Sequence, residues 1–261
     1  MRAGSAMQIR VLGCSGGVGQ GRATTSFLVD RDVLIDAGTG ACELALDELN
    51  AVQDIFVTHA HLDHIAAIPL LADTLFDQLV DRPIRVHGLQ KTLDVLHRHI
   101  FNGQIWPDFT ILPHPDRPVL RLQSIQPGSL IEIDGRLIEA IEVSHTVPAA
   151  AYRVEAGGRS FAYSGDTTSN RALWAALNRH PELDLLFVES AFANKDLELA
   201  TAARHYCPEL LALDLRQLKH QPAVCISHLK PGEEALIMKE CREALPQWQL
   251  KQLRSGDVFE L

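Results

Sequence analysis

The apolar positions of the chain fall into short runs whose spacing changes along its length. Residues 9–12, 26–29 and 33–35 are β-prone stretches separated by turn formers, and the first gap is a glycine-rich turn over residues 13–21. This pattern predicts strands of a meandering sheet. Helical spacing takes over at 42–49, a strand is predicted at 55–57, and from 65 to 79 the apolar residues again recur at helical intervals. A strand at 84–86 and a helix at 92–100 follow. The next connection carries Pro107, Pro113, Pro115 and Pro118 and reads as loop with one or two short strands.

The second half repeats this style without repeating the sequence. Strands are predicted at 120–122, 130–133, 137–143, 151–154 and 160–163, then a helix after Ser169, a strand at 185–188, two helices across 201–218, a strand at 224–226 and a helix at 233–244. A β-rich stretch that passes into α/β alternation, twice over, predicts two β-sheets packed together with helices outside both. No linker or low-complexity tract marks a boundary, so residues 8–261 read as a single domain. Residues 1–7 read as an extension, expected to be disordered, and Thr168 and Ser169 read as the cap of the helix that follows them.

Composition narrows the class. With 46% hydrophobic residues in 261, the chain has material for a large core. A formal charge of −9 argues against a protein that gathers long nucleic acid by a positive field, although metal ions can still hold a small anionic ligand. The five cysteines are odd in number and form no CxxC pair, which points to a reducing compartment rather than a disulfide framework. The first residues lack the apolar core of a signal peptide, and no apolar run approaches the ~20 residues needed to span a bilayer. The expectation is a cytoplasmic protein with no membrane partner.

The chemistry is concentrated in Thr58-His59-Ala60-His61-Leu62-Asp63-His64, which places three imidazoles and a carboxylate just after an apolar strand. Histidine and aspartate are ligand types shared by zinc, iron and manganese, and a loop lets neighbouring side chains converge. His59 and His61 can reach one ion while Asp63 and His64 reach a second. Further candidates are His145, Asp166 and His228, each following a β-like run where the chain turns. An isolated histidine is more often a core or surface residue, and His87, His97, His99, His114, His180 and His220 are read that way.

In this order the HxHxDH cluster, His145, Asp166 and His228, with the earlier Asp36, resemble the five-motif ligand series of the metallo-β-lactamase superfamily. The resemblance implies an α/β protein with an αβ/βα four-layer sandwich, two mixed β-sheets flanked by helices. It implies two divalent metal ions per chain, zinc first, with manganese or iron as alternatives. His59, His61 and His145 would hold one ion, Asp63, His64 and His228 the other, and Asp166 would bridge. Asp36 would steady the histidine loop by hydrogen bonds, the alternative being an ordinary turn aspartate.

Other blocks are similar to those of class II cyclic-nucleotide phosphodiesterases. They are residues 99–108 with Asn102 and Trp106, Glu189-Ser190-Ala191-Phe192, His205-Tyr206-Cys207-Pro208, Ser227-His228-Leu229-Lys230-Pro231, and Leu12-Gly13-Cys14-Ser15-Gly16-Gly17 with Thr24-Thr25-Ser26. The likeness implies hydrolysis of a 3′,5′-cyclic nucleotide, cAMP or cGMP, to a 5′-monophosphate by a metal-bridging hydroxide. Asp63 would serve this chemistry as a ligand, and His205, oriented by Glu189, would supply a proton to the leaving oxygen. Asn102, Trp106, Ser15 and Thr25 are the expected substrate contacts, although Trp106 reads equally well as a loop residue plugging the core. Two departures bear on nucleotide preference: Tyr206-Cys207 stands where the family more often has Leu-Thr, and Thr146 where it more often has Gly. The glycine-rich turn lacks a following GK[ST] and is read as a close turn near the metal edge, not a phosphate loop. A tRNA 3′-processing endoribonuclease and a non-catalytic nucleotide or metal sensor are the rival readings, and a homodimer is the expected assembly.

Overall fold

Residues 6–261 are described by a computed structural model. Two seven-stranded sheets arise from the short apolar runs. The first is built from β1 (Gln8–Gly13), β2 (Ser26–Val29), β3 (Val33–Ile35), β4 (Asp54–Phe56), β5 (Ile84–Leu89), β8 (Leu120–Ile125) and the C-terminal β16 (Val258–Glu260), in the order β16-β1-β2-β3-β4-β5-β8. The second runs β15 (Leu250–Gln252), β14 (Ala223–Ser227), β13 (Leu185–Glu189), β12 (Arg159–Tyr163), β11 (Ala149–Ala156), β10 (Arg136–Val143) and β9 (Leu130–Ile133). A two-residue pair, β6 (Pro113–His114) and β7 (Arg117–Pro118), stands apart in the proline-dotted connection.

Both sheets are mixed in the same way. Antiparallel pairing joins β1 to β2 and β2 to β3, and parallel pairing continues through β4, β5 and β8. In the second sheet β9 to β12 are antiparallel, and β12 to β15 are parallel. The inner faces share one apolar cluster in which Ile9, Val11, Phe27 and Phe56 meet Tyr152, Phe161 and Phe187. Helices cover the outer faces, so β2 and β13 are buried along their whole length and read as apolar on both faces.

The helices are α1 (Leu46–Ala51), α2 (Leu62–Ile65), α3 (Ala67–Thr74), α4 (Phe76–Leu79), α5 (Gln90–Val95), α6 (Arg171–Leu177), α7 (Leu197–Ala203), α8 (Pro208–Leu215) and α9 (Glu234–Ala244). Ile68 and Leu71 of α3 pack on the first sheet, and Leu173, Trp174, Leu211 and Ile237 from α6, α8 and α9 pack on the second. The result is the four-layer αβ/βα sandwich.

Several boundaries differ from the periodic pattern. The helix expected over 65–79 is three pieces: Pro69 has no N–H and is tolerated only in the first turn, which accounts for the new start at Ala67, and a second break falls at Leu75. The helix expected at 92–100 ends at Val95 and passes into a π-helical stretch, Leu96–Ile100. Asn170, rather than Thr168 or Ser169, caps α6, its side chain accepting from Leu173 N at 3.0 Å. The extension expected over residues 1–7 ends before Met7, whose buried side chain joins the inter-sheet cluster and whose backbone exchanges hydrogen bonds with Leu261 at 3.0 and 2.9 Å. The disorder expected for residues 1–5 lies outside the described residues. No helix among the described residues is long and apolar enough to cross a membrane.

Candidate metal centre

The centre lies where parallel strands end. β4 delivers Thr58 and the histidine loop, and β3 delivers Asp36, which turns the chain with a positive φ of 56°. The completely buried Asp36 carboxylate accepts the backbone N–H of Thr58 at 2.8 Å and its hydroxyl at 2.8 Å, and it faces His64 Nδ1 at 2.7 Å. Donation of the Nδ1 proton to Asp36 leaves His64 Nε2 as a lone-pair donor to the site. The loop sits tightly against the preceding turn: a Cβ on Gly38 would run into the backbone oxygen of Asp63.

Seven expected ligands come together in two groups. His59, His61 and His145 each offer a ring nitrogen, all within 4.8 Å of one another. His59 Nε2 is 3.0 Å and His145 Nε2 3.2 Å from His61 Nδ1. Asp63, His64, Asp166 and His228 form the second group. Asp166 lies between the two, with Oδ2 3.3 Å from His64 Nε2 and 3.7 Å from His59 Nε2, and Oδ1 3.3 Å from His228 Nδ1.

The donor chemistry fits divalent cations. Three buried atoms, His64 Nε2, Asp166 Oδ1 and His228 Nδ1, have no hydrogen-bond partner. Converging neutral imidazoles cannot satisfy one another, because each nitrogen pair shares at most one proton, whereas a cation accepts every lone pair. Burial pushes His145 down to about 4 and His228 to about 3, and burial followed by the charge of His64 puts His59 well below the ordinary imidazole value. These rings are therefore neutral at pH 7, as ligands must be. Burial opposes ionisation of Asp166, yet His228, His64 and His59 outweigh it and hold its pKa well below the carboxylate range. Burial likewise opposes a charge on His64, but Asp166 and Asp36 raise its pKa well above the usual value, so a proton balances two buried carboxylates where a cation would.

Glu189, at the end of β13, is fully buried and gathers four donors. It accepts Thr167 N at 2.8 Å, Ala191 N at 3.0 Å, Tyr206 N at 3.3 Å and faces His205 Nδ1 at 2.7 Å. Burial works against a charged His205, but the carboxylate beside it prevails and raises the pKa to about 9. The His205 ring lies against His145 and His228, with centroids 4.9 and 5.4 Å away, and His205 forms a third possible ligand group with His145 and Asp166.

The expected substrate contacts fare differently. Asn102 spends its side chain on its own loop, donating to Arg98 O and His99 O and accepting from Gln104 N and Ile105 N. Trp106 packs against the core of the first sheet with its indole N–H buried and unpartnered, so its plugging reading describes it. Neither residue lines the cavity beside His145. Thr25 is buried with an unpartnered hydroxyl, and Ser15 bridges Thr24 and Leu229 through its backbone at a separate cavity of about 440 Å³. The glycine-rich turn does abut the metal edge, since a Cβ on Gly16 would lie 2.5 Å from His228 O. Sequence reasoning missed Arg204, whose carbonyl oxygen faces His145 Nδ1 at 3.0 Å, because a backbone acceptor leaves no side-chain signature.

A family model described as a β-lactamase superfamily domain matches residues 31–244. The chain belongs to the metallo-β-lactamase superfamily. This superfamily member shares its fold with unliganded yeast PDE1, at a TM-score of 0.83 over 98% of this chain and 100% of that one, with 18% identity. It is 25% identical to a probable 3′,5′-cyclic-nucleotide phosphodiesterase of Yersinia pestis over 87% of this chain and 79% of the relative. A ribonuclease Z of Methanopyrus kandleri is 28% identical over 56% of this chain and 50% of its own length. The 3′,5′-cyclic-nucleotide phosphodiesterase 1 of Saccharomyces cerevisiae is 39% identical, but the match spans 23% of this chain and only 16% of that protein. The metallo-β-lactamase fold implies divalent metal binding and hydrolase chemistry, and the two His/Asp groups are of that kind.

Proposed function

We propose that this hydrolase cleaves 3′,5′-cyclic nucleotides to nucleoside 5′-monophosphates. The observation that carries the reading is the position of Asp166 between two complete ligand groups, with the His205–Glu189 pair beside them. His59, His61 and His145 would hold one cation and Asp63, His64 and His228 a second, with Asp166 available to both, zinc being expected and manganese or iron the alternatives. When bound, such a pair lowers the pKa of a coordinated water and neutralises phosphoryl oxygens. Asp36 keeps His64 in the tautomer whose Nε2 faces the site. Glu189 favours the protonated form of His205 and fixes the orientation of the ring, and His205 gives its proton to the departing 3′ oxygen. The names of the Yersinia and Saccharomyces relatives support a cyclic-nucleotide substrate.

A tRNA 3′-processing activity is the second reading, favoured by the ribonuclease Z relatives and opposed by the −9 charge. The test is a substrate panel with protein of quantified metal content: cAMP, cGMP, a linear phosphodiester and a precursor tRNA. Fastest turnover on a purine cyclic monophosphate is expected. Selective cleavage of the tRNA would replace this reading, and binding without turnover would make the chain a sensor.

A further inference from the structure

A cavity of about 750 Å³ adjoins the metal centre and shares His145 with it. Lys91, Gln126, Glu142, Thr146 and Arg204 are among its lining residues. The two cations stand out on a chain of net charge −9. Neither forms an ion pair among the described residues, and the guanidinium of Arg204 makes a single hydrogen bond, from Nη1 to His145 O at 2.8 Å. Glu142 offsets one of the two charges and leaves the wall net positive.

Arg204 occupies an unusual backbone position for its type. It caps α7 in the left-handed region, at φ 53° and ψ 52°, where glycine avoids the steric cost of a Cβ. Backbone and side chain do separate things there. The carbonyl oxygen accepts from His145 Nδ1, which any residue can provide, while the guanidinium sits against His145 O beside the cavity that Arg204 helps to line, which glycine cannot provide. A strained position that keeps a long cationic side chain beside a metal ligand calls for a use of that charge.

We propose that Arg204 and Lys91 form a subsite for a second phosphoryl group. Substrates then extend to phosphodiesters that carry another phosphate within reach of this wall of the cavity. The inference rests on the phosphodiester part of the function proposed above and widens its substrate class. A cyclic mononucleotide has one phosphate, whose charge the metal ions would neutralise. It leaves the two cations unused, whereas a second phosphate pairs with guanidinium and ammonium together.

The test is calorimetric binding of a phosphorothioate-linked diadenosine dinucleotide, with and without a 5′-phosphate, to metal-loaded protein. The parent is expected to prefer the 5′-phosphorylated form by about tenfold, the scale of one partly exposed charge-assisted hydrogen bond. Arg204→Gly keeps the carbonyl that His145 uses and relieves the left-handed strain, but it also removes the Nη1 hydrogen bond to His145 O, so binding is compared at equal metal content. At equal metal content it should abolish most of that preference, and Lys91→Gln should reduce the preference part-way. A parent without the preference, or an Arg204→Gly protein that retains it, overturns the proposal. Loss of the cyclic-nucleotide reading is scored separately, by absence of cAMP and cGMP turnover in the same preparation.

Discussion

His205 Nδ1 lies 2.7 Å from Glu189 Oε1, and the buried carboxylate sets both the direction and the charge of the imidazole. Its influence opposes burial and lifts the His205 pKa to about 9. As a proton donor, His205 supports turnover on the acid side of its pKa and loses it on the alkaline side, and Glu189 moves that limit upward. Glu189→Gln should move the alkaline limb of the kcat profile towards the ordinary histidine range, and His205→Ala should lower kcat by about 100-fold. A pH–rate profile of the two variants checks this, and an unmoved alkaline limb in Glu189→Gln counts against the assignment. The linkage has the same sign: a histidine whose folded pKa exceeds 6.5 stabilises the metal-free fold fully below that value, and the contribution disappears as pH rises through about 9.

Asp166 belongs to the group of Asp63, His64 and His228 and also approaches His59 of the other group at 3.7 Å, the placement from which the bridging role is proposed. Asp166→Ala should therefore reduce metal content from two ions per chain to one or fewer and remove nearly all turnover. Elemental analysis alongside rate measurement decides it, and two ions retained with parental activity would refute the shared role.

Asp36 acts at one remove, through Thr58 and His64. Asp36→Asn preserves an acceptor but removes the charge and half of the carboxylate's symmetry. Metal affinity should fall by about 10–100-fold, as for other residues that orient a ligating histidine. Titration against a competing chelator provides the measurement.

Chelation should also lower the melting temperature, because His64 and Asp166 would lose the cation that binds only the native arrangement. Adding back graded metal should raise it with concentration. A melting curve indifferent to chelator and metal alike would leave the two His/Asp groups without their proposed role.

Asn102 holds its loop by four side-chain hydrogen bonds and stays out of the cavity beside His145. Asn102→Ala should cost about 1 kcal/mol of stability, in line with a lost capping interaction, and shift KM for the nucleotide by less than about threefold. A KM that rises tenfold with stability unchanged would return Asn102 to the substrate pocket.

Much of this architecture is legible along the chain. The order of β-prone and helical runs anticipates both sheets, and their near-continuous apolar strands follow from helices covering each outer face. The weaker points are short. β15 and β16 span three residues each, too few for a periodicity, and β16 exists because Val258–Glu260 finds the free edge of β1 at the far end of the chain.

The sequence by itself determined the kinds of donor and their order. A histidine loop after an apolar strand, followed by His145, Asp166 and His228 at later turns, is a local property of each segment. Only the tertiary structure decided which atoms meet. Asp36 orients His64 across 28 residues, and the Arg204 carbonyl orients His145 across 59. Hydrogen bonds and close packing act over a few ångströms of space, irrespective of the intervening length of chain, so local pattern cannot specify them.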